Sequence, residues 1–69
     1  MRNKMLNYTQ SILEKVSFDR DLFLKEVQKA KGLLQGQEWL ALVEWLREFV
    51  NDKPLLKYEL YARPSLIAV

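Results

Sequence analysis

The fold is decided by residues 37–51, QEWLALVEWLREFVN. At about 100° per residue around a helix axis, the apolar side chains of this stretch fill an arc of roughly 200°. A helix that rests on a single neighbour needs an apolar stripe little wider than about 100°. The stretch therefore predicts a central helix that is covered from two directions, by other helices of the chain, by a second copy or by another protein.

One edge of this arc carries Ala41, Trp45 and Phe49 at steps of four residues. Aromatic residues dominate the energetics of both cores and interfaces, so either role fits their chemistry. We expect Trp39, on the same helix, to belong to the core. We take Ala41, Trp45 and Phe49 as candidate interface residues.

Two further helices are predicted upstream. Within residues 4–16, apolar side chains recur at three- and four-residue steps, which is typical of a helix with one buried face. The residues on that face would be Met5, Tyr8, Ile12, Leu13 and Val16. A second helix over residues 20–35 should begin after Asp19, because an aspartate side chain caps a helix N-terminus well.

Two structural signals mark the two connections between the predicted helices. Phe18 and Phe23 have the spacing of a hydrophobic staple, in which the two side chains pack together at a helix start. Gly36 can take the left-handed conformation that ends a helix, here the second one. Since that connection is short, we expect the two helices to form an antiparallel hairpin.

The tail after Pro54 allows two interpretations. Leu56, Tyr58, Leu60 and Ala62 alternate with more polar residues, as in an extended segment, although Leu56 and Leu60 also fit one short helix. The extended form is preferred, either docked on the helices or bound to a partner, with Tyr58 and Tyr61 as candidate interface residues. The sequence thus predicts an all-α fold: a three-helix domain over residues 1–53 and an extended or short-helical tail over residues 54–69.

Composition excludes several functions. The 69 residues include no cysteine and no histidine, which removes thiol nucleophiles, the usual metal ligands and the common neutral-pH proton shuttle. We therefore expect no enzymatic activity, no cofactor and no metal. The most apolar segment, residues 39–50, contains charged residues and is shorter than the roughly 20 residues that a membrane span requires. With no secretory signal in the sequence, the cytoplasm is the expected compartment.

A nucleic-acid partner is not favoured. The second and third predicted helices resemble a helix-turn-helix, whose recognition helix contacts base edges and phosphates with basic and amide side chains. The third helix instead offers Glu38, Glu44 and Glu48 against the single Arg47. A small nucleic-acid-associated regulator is kept as the alternative function.

Association with protein is the hypothesis that remains. A chain of this length removes only about 60% of its extended-chain surface from water on folding, so it gains much by oligomerising. A two-fold dimer is the commonest closed assembly. The sequence thus favours a non-catalytic interaction module that self-associates, a dimer above all, with another protein as the other partner.

One further set of residues is informative as a group: Tyr8, ILEKVSFD at residues 12–19, Leu22, Phe23, Lys25, Glu26, Lys29, Ala30 and Trp45. With this set, residues 5–50 resemble a group of short bacterial all-helical proteins of unknown function. The strongest part of the resemblance is the junction from Leu13 to Phe23, and the tail lies outside it. The resemblance implies an all-helical fold and no particular activity, and it assigns no functional residue.

Overall fold

Four α-helices follow one another in the computed structural model, which describes residues 4–67. They are α1 (Lys4–Lys15), α2 (Arg20–Leu33), α3 (Gln37–Phe49) and α4 (Pro54–Tyr61), and short 3₁₀ turns lie at Val50–Asp52 and Pro64–Leu66. Within these residues there is no strand. The predicted all-α class is therefore confirmed, and the three predicted helices are present with ends within two residues of those expected. The domain has a fourth helix that the three-helix prediction did not include.

Asp19 caps the N-terminus of α2 as predicted, but the hydrophobic staple is absent. The Asp19 carboxylate accepts a hydrogen bond from the backbone N–H of Leu22 at 3.2 Å. Phe23 is fully buried, whereas Phe18 is 83% exposed, so the two rings do not pack together. The chain turns between the helices, with the N–H of Asp19 bonded to the carbonyl of Val16, and this turn leaves Phe18 on the outside. The staple prediction is wrong.

The inward face of α1 also differs from the prediction. Met5 and Tyr8 are exposed, while Thr9 and Leu13 are buried. The buried and half-buried positions here are residues 6, 9, 10, 12, 13 and 16, so the predicted Ile12, Leu13 and Val16 do face inward, and the stripe runs through residues 6, 9, 13 and 16 at helical spacing. Because Thr9 is polar, a search for apolar residues alone misplaces this stripe around the helix.

Helix α3 supplies the largest share of the core. Phe23 in the first turns of α2 lies against Phe49, the last residue of α3, with ring centroids 6.1 Å apart. Since only residues 34–36 join the other ends of these helices, the two helices run antiparallel, as expected. Trp39 is buried, which confirms its assignment to the core. The buried apolar residues are Leu13, Phe23, Val27, Ala30, Leu34, Trp39, Leu42, Val43, Leu46, Val50, Leu56, Leu60 and Ile67.

The tail is helical, so the preference for an extended segment is wrong. Pro54 occupies the start of α4, where its missing N–H leaves no helical hydrogen bond unmade. Leu56 and Leu60, one turn apart, are buried against the other helices. Beyond α4, the Lys31 ammonium donates to the Ser65 carbonyl. Residues 54–67 are therefore docked on the domain; the ends of the predicted ranges, residues 1–3 and 68–69, lie outside the described residues.

The two glycines are expected to respond oppositely to alanine. Gly36 precedes α3 with φ +59° and ψ −127°, a conformation that strains any residue with a Cβ. Gly32 lies within α2, and a Cβ there would meet open space. We expect Gly36→Ala to lower the free energy of unfolding by about 1–3 kcal/mol. Gly32→Ala should raise it by about 0.5–1 kcal/mol.

Urea denaturation followed by far-UV circular dichroism measures both changes. The two variants add the same methyl group at positions only four residues apart, so each serves as the control for the other. Equal effects of the two substitutions would contradict the assigned backbone conformation of Gly36.

Candidate functional site

The outer face of α4 is apolar and tyrosine-rich. Leu56 and Leu60 occupy the inner face, and the side chains that point away from them are Pro54, Leu55, Tyr58, Tyr61 and Ala62. Leu55 is 74% exposed, Tyr58 70% and Tyr61 51%. The solvated face of a surface helix normally carries charged and polar residues. This face has no charged residue at all.

Phe18 extends the apolar surface beyond α4. Its side chain and that of Leu55 line one shallow depression of about 310 Å³, together with Asp19, Arg20 and Asp21. Leu55, Tyr58 and Tyr61 follow one another at steps of three residues along α4, so neighbouring members lie side by side. We call the four residues Phe18, Leu55, Tyr58 and Tyr61 the aromatic strip.

The charged residues that flank the aromatic strip are engaged within the chain. The Glu59 carboxylate forms an ion pair with Arg20 of α2 at 3.5 Å and accepts a hydrogen bond from Arg63 at 3.4 Å. Its side chain is only 18% exposed, and the Arg20 pair ties α4 to the start of α2. On the other flank, the Lys57 ammonium donates to the side-chain carbonyl of Asn51 at 3.3 Å. These contacts hold α4 in the orientation that turns the aromatic strip outward.

The second predicted surface, on α3, is half-buried. Ala41, Trp45 and Phe49 are each partly covered, and the rings of Trp45 and Phe49 stack with centroids 4.7 Å apart. The Lys53 ammonium lies 4.1 Å from the centroid of the Phe49 ring, within cation–π distance, and donates to the Phe49 carbonyl at 3.2 Å. The hydrogen bond and positive charge of Lys53 also hold the pKa of Asp52 below its ordinary value. This end of the α3 surface is therefore already occupied by the chain's own side chains.

The five predicted interface residues thus fall on two helices with different exposure. Tyr58 and Tyr61 are exposed on α4, whereas Ala41, Trp45 and Phe49 are half-buried on α3. Sequence reasoning missed Phe18, which it assigned to a staple, and Leu55. A helical interpretation of the tail would have found Leu55, because residues 55, 58 and 62 then share one face with no charge on it.

Other kinds of site find little support in the described residues. A groove of about 280 Å³ between α1 and α2, lined by Tyr8, Thr9, Ile12, Ala30 and Leu33 and by the ion pair of Glu26 with Lys29, is slightly smaller than typical ligand pockets of roughly 300–1,000 Å³. Within residues 4–67, no group of three or more acidic side chains is placed to hold a metal ion. Nor is any helix in this range both long and apolar enough to cross a bilayer.

The fold and the surface together define a small all-α protein with an exposed aromatic face on its fourth helix. Comparison of the chain with protein-family models, with curated proteins and with solved structures finds no significant match. The resemblance to short bacterial helical proteins stays a prediction.

Proposed function

We propose that the protein is a non-catalytic interaction module that binds protein through the aromatic strip. The observation that carries this proposal is the uncharged outer face of α4, with Leu55 and Tyr58 at least 70% exposed. The largest contiguous apolar patch on a protein surface, typically about 300–600 Å², is often a functional site. The absence of histidine and cysteine from the sequence supports a role without catalysis.

The residue types of the strip also favour a protein partner. Tyrosine is enriched at interfaces because its ring offers a large apolar area while its hydroxyl tolerates water. Nothing in the core requires tyrosine at these positions, since Leu56 and Leu60 already fill the inner side of α4. The burial of Leu56 and Leu60, together with the Arg20–Glu59 ion pair, fixes the outer face of α4 relative to the domain.

Site-specific photocrosslinking in the native cell tests the proposal. A photoreactive phenylalanine derivative at position 58 should form a covalent adduct with protein on illumination, because the proposed partner covers this position. The same derivative at position 8 is the control, since Tyr8 is similarly exposed but lies on α1. Failure of position 58 to give adducts above the level of position 8 would overturn the proposed function.

A further inference from the structure

We infer that the partner of the aromatic strip is a second copy of this chain, paired about a two-fold axis close to Tyr58. This inference rests on the proposed function, because it names the occupant of the same surface. It is carried by three properties of the strip: the charge around it, the area it exposes and its arrangement on α4.

The charge around the strip suits a copy of itself. The outer face of α4 carries no charge, so two such faces meet without repulsion between like charges. Glu59 is neutralised by Arg20 and Arg63, and Lys57 is bonded to Asn51. At the Phe18 end of the strip, the flanking Asp21 carboxylate pairs with Arg20 at 3.8 Å, so these two charges offset each other beside the uncharged face. A neutral apolar partner is required, and the same strip on another chain has that character.

The exposed area matches a weak, reversible dimer. An aromatic side chain offers roughly 200 Å², and the rings of Phe18, Tyr58 and Tyr61 are 83%, 70% and 51% exposed. With Leu55, the strip presents on the order of 500 Å² of side-chain surface. Two strips face to face would bury about 1,000 Å², which is the lower end for a specific interface. Association should therefore be concentration-dependent, with a dissociation constant in the micromolar to millimolar range.

Two-fold symmetry follows from the shape of the strip. When the same patch serves both partners, each copy covers the strip of the other and the pair is closed. Tyr58 lies between Leu55 and Tyr61 along α4 and points directly away from the buried Leu56 and Leu60. It is thus at the centre of the strip, where interface hot spots concentrate.

Sedimentation equilibrium of the purified full chain from about 10 µM to about 1 mM tests the inference. The average mass should rise from that of one chain toward that of two. Tyr58→Glu should raise the dissociation constant at least tenfold, because it removes a central ring and places two carboxylates across the axis. Tyr8→Glu makes the same chemical change on α1 and should leave the dissociation constant unchanged.

Crosslinking gives a second measurement that does not depend on the glutamate variant folding. Because the chain has no cysteine, Tyr58→Cys introduces a single thiol. A short bismaleimide should link two chains of this variant at least tenfold faster than two chains of Tyr8→Cys. Equal rates for the two variants would overturn the inference. A constant monomer mass over the whole concentration range would overturn it as well, because the chain would then not dimerise. A folded Tyr58→Glu chain that dimerises as tightly as the parent would also overturn it, because the interface would then lie elsewhere.

The adducts formed in the cell separate this inference from the proposed function. Adducts at position 58 with twice the mass of the chain support both. Adducts of any other mass, with a purified chain that stays monomeric, overturn the inference and leave the proposed function standing. The absence of adducts at position 58 overturns the proposed function itself.

Discussion

Phe23→Ala is expected to lower the free energy of unfolding by about 3–5 kcal/mol. The ring is fully buried and stacks against Phe49, which in turn stacks on Trp45, so its removal opens a cavity beneath the α3 aromatic side chains. At the usual 0.05–0.15 kcal/mol per residue, the total stability of a 69-residue domain is on the order of 3–10 kcal/mol. This single substitution should therefore remove a large share of the total stability.

Phe18→Ala is the matched control for this prediction. It makes the same chemical change five residues away, at a ring that is 83% exposed. We expect a change in the unfolding free energy of less than about 0.5 kcal/mol. Urea denaturation at low protein concentration, followed by circular dichroism and tryptophan fluorescence, measures both. A large loss of stability in Phe18→Ala would show that the staple between Phe18 and Phe23 forms after all.

Leu60→Ala should be the next most damaging change, at about 2–5 kcal/mol. Leu60 is fully buried on the inner face of α4, so truncating it removes contacts between the tail and the rest of the core. The size of the effect measures how far the tail is part of the cooperative fold. If the tail were only a peripheral arm, Leu60→Ala would loosen α4 and leave the other three helices folded.

Leu55→Ala tests the same helix from its outer face. Leu55 is 74% exposed and one of the four residues of the aromatic strip, so we expect little loss of stability in the monomer and weaker association at high concentration. Denaturation at low concentration and sedimentation at high concentration separate the two effects. If both leucine variants lost the same stability, the assignment of inner and outer faces of α4 would be refuted.

Together these substitutions divide the aromatic residues of a small domain by their roles. Phe23 and Trp39 are buried and hold the helices together, whereas Phe18, Tyr58 and Tyr61 are exposed and available to a partner. The side chains of Trp45 and Phe49 lie between these extremes, half-buried and stacked. Variants of the exposed group are therefore expected to change association, and variants of the buried group to change stability.

The sequence predicted the features that depend on local chemistry. Asp19 caps α2 because its carboxylate reaches a backbone N–H only three residues away. Gly36 has the positive φ that its missing Cβ allows, but it lies at the N-cap of α3 and not at the end of α2, whose C-cap is Leu34. The wide apolar arc of α3 indicated a central helix, and its centre, including Trp39 and Leu46, is buried as that arc required.

The exposed surface could not be predicted in the same way. The alternation of Leu56, Tyr58, Leu60 and Ala62 is compatible with a strand, in which all four would share one face. In the helix, Leu56 and Leu60 point inward and Tyr58 points outward. Which side of the tail meets water therefore depends on its secondary structure, and the pattern alone left that choice open.

What the sequence determined by itself is the number and extent of the three longer helices and the points where the chain must turn, since caps, glycine and proline act over a few residues. The tertiary structure alone decided that residues 54–61 form a helix, that Phe18 points outward and that Thr9 lies in the α1 core stripe. The physical reason is that a helix of eight residues is marginal in water. It is stabilised by the burial of Leu56 and Leu60 against residues distant in the sequence.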